Sequence, residues 1–298
     1  MKMRAFVYHR PETLDEALAL LATHGGDAKV IAGGQSLLPM MAMRLSSPAY
    51  LVDIGAIASL SLIDAAGVPG RISTGANVRH ADIVRSADVS DQPLLARVAP
   101  LIGHGAIRNR GTVCGSIAHA DPAAEWPAVA LALDAEMLAV SASGSRIIKA
   151  ADFFQGFLTT AVRDEELVTH VHWPCALPRE GSAVHEVSRR HGDFAMCGAV
   201  AVLALTEHGV IDRARIAALG VATTPVRAID AEDILIGQMP TAAVFAAAAA
   251  SASRSLDPSS DLHATAAYRR HVTGSLIARC LIDAHADITA KELSHAIS

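Results

Sequence analysis

A glycine pair joins a predicted strand to a predicted helix in the stretch Lys29-Val30-Ile31-Ala32-Gly33-Gly34-Gln35-Ser36-Leu37-Leu38-Pro39. The two glycines permit positive φ, so successive backbone N–H groups can converge on an anion without obstruction by a Cβ atom. The glutamine and the serine add side-chain donors, and the positive end of the following helix also favours phosphate. No Gly-Lys-Ser/Thr follows, which excludes a Walker A loop. The stretch therefore predicts an anion-binding turn, and the alternative is a tight turn that binds no ligand.

Helix and strand signals alternate on both sides of this turn. Before it, Thr13-Leu14-Asp15-Glu16 forms a capping box at the beginning of a helix, and Gly25 supplies the stop. After it, the pattern predicts strands at 51–54 and 71–74, a helix at 93–102, and a buried helix followed by a strand at 126–140. Helices and strands are therefore expected to be mixed through the first half of the chain.

A segment rich in helix- and strand-breaking residues predicts a domain boundary. Residues 173–178 read Trp-Pro-Cys-Ala-Leu-Pro, and Gly181 follows closely. We expect two domains, at 1–177 (with subdomains of about 1–54 and 55–177) and at 178–298. In the second, the pattern predicts strands at 198–205 and 214–221 and helices at 241–253 and 262–285. The second domain is therefore expected to be a smaller α+β unit.

The composition excludes several classes of function. The chain has 298 residues, of which 25 are basic and 30 acidic, so its formal charge of −5 leaves no positive surplus for a phosphate backbone. Aromatic residues make up 4%, which disfavours stacking on single-stranded bases. Hydrophobic residues make up 51%, enough for a substantial core. We expect a folded protein that does not bind nucleic acid.

The sequence carries no recognisable export, membrane or thiol-metal signal. Its first ten residues lack the apolar region of a signal peptide, and the most apolar stretch, residues 242–252, is too short to span a bilayer. The four cysteines are scattered without a Cys-x-x-Cys pair, which disfavours zinc and iron–sulfur sites. We expect a cytoplasmic chain with no membrane insertion and no metal site.

A second stretch rich in small residues, residues 111–125, is a candidate ligand-binding segment. Small residues let the backbone approach a ligand, and Ser116, Asp121 and Glu125 offer acceptors for hydroxyl groups. A sugar alcohol chain would suit such a row of acceptors. The alternative is a metal site built from His119, Asp121 and Glu125, although their spacing matches no recognised ligand pattern.

A third stretch, residues 188–195, reads Ser-Arg-Arg-His-Gly-Asp-Phe-Ala. It predicts a solvated basic hairpin that leads into a strand. Phe194 is one of only six phenylalanines and follows a glycine-containing turn, where an aromatic ring could cover a planar cofactor.

Together and in this order, the motifs resemble the FAD-binding medium subunit of the molybdenum hydroxylases, of the carbon monoxide dehydrogenase type. The motifs that carry the resemblance are Ala32–Pro39, Leu51–Ile54, Ile107–Thr112, His119–Pro122, Asp152–Phe154, Gly192–Ala195 and Ala267–Arg270. The resemblance runs almost from end to end of the chain. It implies an α+β fold: a vanillyl-alcohol-oxidase (PCMH) type FAD-binding domain of two α/β subdomains, followed by a C-terminal α+β domain.

The resemblance also implies which residues contact the cofactor. They are Ala32, Gly33, Gly34, Gln35, Ser36, Leu37, Ile102, Thr112, Cys114, Gly115, Ser116, Asp121, Glu125, Val168 and Phe194. In such proteins the segments that match 32–36 and 112–116 hold the pyrophosphate, and position 125 bonds FAD hydroxyls. Residues that match Ile102 and Val168 lie near the adenine or flavin, and an aromatic at Phe194 shields the flavin ring. No catalytic residue and no metal ligand is implied on this chain.

Three positions depart from the family pattern. Cys114 replaces a glycine, which adds a Cβ where backbone is expected to approach phosphate; this is tolerable if the position needs no positive φ. Glu125 replaces an aspartate and shifts the reach of the carboxylate by one methylene. Glu186 stands where many relatives have lysine, so no cationic contact with flavin is assigned to it.

The function implied by the resemblance is electron transfer in a complex. A large molybdopterin-binding subunit would oxidise the substrate, a small subunit with [2Fe–2S] clusters would relay electrons, and this chain would pass them through FAD to an external acceptor. A dimer of heterotrimers is the expected assembly. Three alternatives stay open: a free-standing flavin oxidase or reductase, a metal-dependent hydrolase using His119, Asp121 and Glu125, and an assembly subunit that has lost FAD through Cys114.

Overall fold

The computed structural model describes residues 2–297 and the side chains of residues 2–293. The first unit is a small three-stranded parallel sheet with strand order β1-β3-β2. Its elements are β1 (Val7–His9), α1 (Leu14–His24), β2 (Ala28–Ile31), α2 (Leu37–Ala42) and β3 (Tyr50–Asp53). The predicted cap of α1 is confirmed, because the Thr13 hydroxyl accepts from the Glu16 N–H and Gly25 ends the helix at a φ of +48°.

The second unit is a five-stranded antiparallel sheet with the order β4-β5-β10-β6-β7, beside a small hairpin of β8 and β9. Its strands are β4 (Ile63–Asp64), β5 (Arg71–Gly75), β6 (Glu136–Ser141), β7 (Gly144–Lys149), β8 (Phe154–Gly156), β9 (Thr159–Thr160) and β10 (Leu167–Pro174). Its helices are α3 (His80–Arg85), α4 (Pro93–Val98), α5 (Gly105–Arg108), α6 (Val113–His119), α7 (Glu125–Ala132) and α8 (Ala150–Phe153). Every residue of α7 is buried, as the apolar sequence from Trp126 onward predicts, and the buried set includes Glu125 at the first position.

The third unit is a four-stranded antiparallel sheet in sequential order with three helices. Its elements are β11 (Glu180–Ser188), β12 (Ala195–Leu205), β13 (Ile211–Leu219), β14 (Val226–Arg227), α9 (Ile229–Leu235), α10 (Ala242–Ser255) and α11 (Ala266–Ile297). One face of β12 packs with α10 and α11 through residues such as Ala201, and the other face joins the core of the second unit through residues such as Val200. The predicted hairpin at residues 188–195 is confirmed as the turn between β11 and β12.

Three helix boundaries differ from the sequence prediction by more than two residues, and one of them is the end of the last helix, predicted at 285 and found at Ile297. The helix predicted from 262 begins instead at Ala266, because the Asp261 carboxylate accepts from the N–H groups of His263 and Ala264 and holds them in a turn. The Thr265 hydroxyl then accepts from the Tyr268 N–H, as an N-terminal cap does. The helix predicted at 93–102 ends at Val98, and a 3₁₀ turn follows where Pro100 removes a backbone donor.

The arrangement confirms the predicted α+β class, with a parallel unit, an antiparallel unit and a separate antiparallel C-terminal sheet. The predicted division of the chain at residues 177 and 178 falls in the connection between β10 and β11 and stays a prediction. Across this division, the Gly220 N–H donates to the carbonyl of Pro122 at 2.7 Å. Within the described residues, no helix has the length and apolar character needed to cross a bilayer.

Candidate cofactor site

Two loops from different units meet backbone to backbone at Gly33. A Cβ atom placed on Gly33 would overlap the carbonyl oxygen of Arg110 and would lie 2.7 Å from the Cα of Gly111. Gly34 has a φ of +69°, which only glycine adopts without strain. Both glycines of the predicted anion-binding turn are therefore required by local geometry, one by the close approach and one by its dihedral angle.

The turn between β2 and α2 keeps a row of unused donors. In the part of the chain that the structure describes, the backbone N–H groups of Gly33, Gly34, Gln35 and Ser36 donate no hydrogen bond. The Gln35 amide instead donates to the carbonyl of Gly33 at 3.0 Å and ties the turn together. The four residues are half-buried, and successive free N–H groups in such a turn are the kind of donor set that binds a phosphate. The residues present therefore fit the diphosphate of a dinucleotide.

The second predicted loop is arranged differently. The Thr112 hydroxyl caps α6 by accepting from the Gly115 N–H at 3.1 Å, so that N–H is already used. A Cβ on Gly115 would lie 2.7 Å from this hydroxyl oxygen, which explains the glycine. Ser116 also bonds within the helix, through its N–H to the carbonyl of Thr112. The loop packs its backbone against Gly33. It can offer a ligand only the N–H groups of Thr112 and Cys114, which have no acceptor among the described residues.

Cys114 points away from this loop and into the core. Its Sγ lies 3.4 Å from the carbonyl oxygen of Thr74 in β5 and donates to it. Its backbone is helical and not left-handed, so the position needs no positive φ. Burial raises the pKa of the thiol to about 12 and keeps it protonated. The structure therefore gives no basis for loss of the cofactor through Cys114.

His80 contacts the second loop at Gly111, and the sequence analysis did not find it. The Nδ1 of His80 accepts from the Trp126 indole N–H at 3.0 Å, which places the imidazole proton on Nε2. Burial, with Arg108 nearby, lowers the pKa of His80 to about 4, so the ring is neutral. A Cβ on Gly111 would lie 2.8 Å from this Nε2. No spacing rule links these residues in the sequence, and only the fold brings them together.

The acidic end of the second stretch lies at the beginning of α7. Asp121 accepts from the Ala123 N–H at 2.9 Å and closes the turn before the helix. Glu125 is only 8% exposed, and burial together with the charges of Glu186 and Asp121 raises its pKa to about 8. Among the described residues, no three His, Cys, Asp or Glu side chains converge closely enough to hold a metal ion. The geometry therefore does not support the hydrolase built on His119, Asp121 and Glu125.

The three apolar site candidates occupy different environments. Ile102 and Val168 are buried in the core of the second unit, and Val168 pairs with Ala139 in the sheet. Phe194 is 70% exposed at the tip of the hairpin between β11 and β12. In this turn Gly192 packs on the His104 ring, and a Cβ there would lie 2.5 Å from Nδ1. The hairpin tip thus rests on the loop that directly follows Ile102.

These features together define a class of protein. A glycine turn with free N–H donors contacts a second glycine loop, and the hairpin of a separate sheet contacts the loop after Ile102, which leads through α5 to the second glycine loop. The set fits an extended dinucleotide with hydroxyl groups and a planar ring, which describes an FAD-binding α+β flavoprotein.

Comparisons with known proteins identify the family. A family model described as the FAD binding domain in molybdopterin dehydrogenase matches residues 2–176, and one described as the CO dehydrogenase flavoprotein C-terminal domain matches residues 182–284. The chain belongs to this family of FAD-binding subunits of the molybdopterin dehydrogenases. It is an oxidoreductase flavoprotein subunit, which confirms the predicted family, fold class and cofactor.

Individual relatives match over nearly the whole chain. The 6-hydroxypseudooxynicotine dehydrogenase complex subunit alpha of Paenarthrobacter nicotinovorans is 41% identical over 95% of this chain and 96% of its own length. The nicotine 6-hydroxylase medium subunit of the same organism is 38% identical over 96% and 99%. A solved carbon monoxide dehydrogenase from Hydrogenophaga pseudoflava, in a form that lacks the Mo-pyranopterin moiety, superposes with a TM-score of 0.92 at 36% identity, covering 96% of this chain and 99% of the other.

Proposed function

We propose that this chain is the FAD-binding electron-transfer subunit of a multi-subunit molybdenum hydroxylase. It takes electrons from the [2Fe–2S] clusters of a small partner subunit and passes them to an external acceptor, while a large molybdopterin-binding subunit oxidises the substrate. The observation that carries the proposal is the row of unused N–H donors at residues 33–36 against the Arg110 loop. The names of the relatives, which include a dehydrogenase complex subunit and medium chains, support a place in a complex.

In this proposal the chain's own residues bind and orient the cofactor. The contact set is the predicted one: Ala32, Gly33, Gly34, Gln35, Ser36, Leu37, Ile102, Thr112, Cys114, Gly115, Ser116, Asp121, Glu125, Val168 and Phe194. The free N–H groups of 33–36 hold the diphosphate, and carboxyl groups at the beginning of α7 bond the hydroxyl groups of the polyol. Bound FAD supplies the capacity to accept single electrons and to deliver a pair. The chain needs no acid–base residue of its own for that role.

Phe194 has a different task from the loops. Its exposed ring stands on the hairpin tip beside the loop after Ile102, where it can cover one face of a planar ring. An aromatic cover limits the access of oxygen and of the acceptor. We therefore assign access control to the hairpin and binding to the glycine loops.

The first experiment is to purify the full chain, record its absorption spectrum, and identify the cofactor released by heat. We expect a yellow protein that releases FAD in an amount equal to the chain. A colourless chain that takes up no added FAD would contradict the cofactor site.

The second experiment tests the complex. A tagged full chain is isolated from its native host under mild conditions, and the associated polypeptides are analysed for molybdenum and iron. We expect a molybdenum-containing large subunit and a [2Fe–2S] subunit, with a total mass that corresponds to two copies of each chain. If the chain is isolated alone with bound FAD and reduces an acceptor directly, the free-standing flavin enzyme is correct instead.

A further inference from the structure

Arg269 in α11 belongs to the motif Ala267–Arg270, to which the proposed function gives no role. The residue is only 7% exposed. Its Nη1 donates to the carbonyl of Met196 and, at 3.0 Å, to the carbonyl of Gly220. Its Nη2 donates to the Asp261 carboxylate at 2.5 Å. One buried side chain of the last helix therefore holds the backbone of β12, the backbone that follows β13, and the turn before α11.

Met196 is the extra residue of a β-bulge at the beginning of β12. In the pairing of β11 with β12, Val187 lies opposite Cys197. The next pair is Ser188 with Ala195, so the register skips Met196. A bulge leaves its extra residue unpaired and bends its strand. The guanidinium donates to the carbonyl of this unpaired residue, and it therefore helps to fix the bend.

The bulge lies at the base of the hairpin between β11 and β12. Phe194 comes two residues before Met196, and the hairpin tip rests on the loop after Ile102 through Gly192. Because a bulge bends its strand and increases the local twist, a shift of the backbone at Met196 changes the direction of the tip. The direction in which Phe194 is presented therefore depends on the bond from Arg269.

The second carbonyl links the same guanidinium to the second cofactor stretch, residues 111–125. Gly220 has a φ of +70°, and a Cβ there would lie 2.7 Å from the carbonyl oxygen of Met196, so the two backbones approach closely. The Gly220 N–H donates to the carbonyl of Pro122 at 2.7 Å. Arg269 thus holds one backbone segment that leads to the hairpin and another that bonds to the second cofactor stretch.

Asp261 keeps the guanidinium in place. Its Oδ1 accepts from the N–H groups of His263 and Ala264 at 2.8 and 2.9 Å, while its Oδ2 accepts from Arg269. These bonds lower the pKa of Asp261 to about 2, so the carboxylate is ionised. A lysine presents all its donors from one nitrogen and cannot span acceptors that two guanidinium nitrogens hold. The arrangement therefore requires arginine.

We propose that Arg269 is a positioning residue of the flavin site, which holds the carbonyls of Met196 and Gly220 and thereby sets how fully the Phe194 ring covers the flavin. This inference rests on the proposed function, because Phe194 is assigned there to cover the flavin. Loss of the guanidinium frees the bulge, the hairpin tip moves, and oxygen or the acceptor reaches the flavin more easily. The N–H groups of residues 33–36 still hold the diphosphate.

The first test measures the reoxidation of reduced flavin by oxygen in the full FAD-loaded chain. We expect Arg269→Lys and Phe194→Ala each to raise the rate by about threefold or more. In the double variant the two effects should not multiply, because both substitutions remove the same cover. A rate for Arg269→Lys equal to that of the wild type would overturn the inference, as would effects that multiply in the double variant.

Arg270→Lys is the matched control. Arg270 is the next residue of α11 and is half-buried, but its guanidinium donates to the carbonyl of Leu256 at 2.9 Å and to Asp257 at 3.4 Å, beyond the end of α10. We expect the reoxidation rate of this variant to be unchanged. An equal increase in Arg270→Lys would overturn the inference, because general loosening of α11 would then be responsible. A folded Arg269→Lys chain that has lost FAD would also overturn it, because Arg269 would then act in cofactor retention.

A second variant keeps the inference testable if Arg269→Lys does not fold. In Asp261→Asn the amide oxygen can still accept from the two N–H groups of the turn, but the charge that holds Arg269 is gone. We expect the reoxidation rate to rise in the same direction as in Arg269→Lys, by a smaller factor. An unchanged rate in Asp261→Asn, where Arg269→Lys does not fold, would overturn the inference.

A further readout does not require FAD. Hydrogen exchange of the amides in residues 188–196 is measured in the FAD-free chain. We expect exchange to be about threefold faster or more in Arg269→Lys and unchanged in Arg270→Lys, because the freed bulge opens locally. Equal exchange in Arg269→Lys and the wild type would overturn the inference alone. A wild-type chain that takes up no FAD would overturn the proposed function, and the inference with it.

Discussion

The turn at Gly33 and the turn at Thr112 are both loop-to-helix connections with small residues, yet they treat their backbone donors in opposite ways. The first leaves four successive N–H groups without an acceptor within the described residues. The second satisfies the N–H of Gly115 with its own cap and that of Ser116 within the helix, and it leaves only the N–H groups of Thr112 and Cys114 without an acceptor among the described residues. An uncapped helix beginning costs free energy unless something else accepts from it. The first turn thus offers the longer row of free donors to the proposed cofactor, and the second adds two donors and contacts the first at Gly33.

The largest expected effect is at the contact between the two turns. Gly33→Ala places a Cβ on the carbonyl of Arg110, which must move and carry the second loop away from the cofactor. We expect FAD retention to fall below about a tenth of the wild-type level, measured by flavin released per chain, because the donors no longer converge. Gly156→Ala is the control, since its Cβ would only touch Thr159 at 3.9 Å. Full flavin occupancy in Gly33→Ala would show that the turn at Gly33 is not the phosphate site.

A smaller effect is expected at the cap of the second turn. Thr112→Val removes the hydroxyl that accepts from Gly115 and costs about 1 kcal/mol of stability. FAD affinity should fall by about threefold to tenfold, because the donors of the first turn remain. Thr13→Val removes the equivalent cap of α1, where the hydroxyl accepts from the Glu16 N–H, and is expected to cost similar stability with no change in affinity. If both variants bind FAD equally, the second turn does not support the first.

Substitution of Cys114 tests whether its side chain packs in the core or contacts the cofactor. Cys114→Ala removes the buried Sγ and is expected to cost about 1 kcal/mol of stability, measured by denaturant unfolding, with unchanged FAD content. Because its pKa is raised to about 12, the native thiol should also resist alkylation at pH 8, whereas the half-buried Cys175 reacts first. A drop in FAD content without loss of stability would place the thiol side chain in the site after all.

The smallest effect on stability is expected at the hairpin tip. Phe194→Ala removes an exposed ring and should change the free energy of unfolding by less than about 0.5 kcal/mol. We expect flavin fluorescence and the rate of reoxidation by oxygen to change, because the ring that covers one face is gone. Spectra and reoxidation identical to the wild type would remove Phe194 from the flavin environment.

The sequence predicted the first turn well because its signals are local. A strand, two glycines and a helix beginning occupy adjacent positions, and the capping box at Thr13 likewise involves neighbours only. The resemblance of the motifs to the family then predicted the α+β class and FAD as the cofactor. The support of Gly111 by His80 depends on residues that meet only through tertiary packing. The beginning of α11 was misplaced because the Asp261 turn competes locally with the helix.

The meeting of Gly33 with the Arg110 loop also has a consequence for how the protein matures. The two loops belong to separate sheets and are far apart along the chain, so this contact carries a loop-closure entropy cost that a local turn does not. The proposed diphosphate site, formed where the Gly33 turn contacts the Arg110 loop, exists only after the parallel and antiparallel units have docked. Free FAD then binds the docked form alone and pulls that equilibrium forward by mass action. We therefore expect FAD to shift newly made chains toward the docked form.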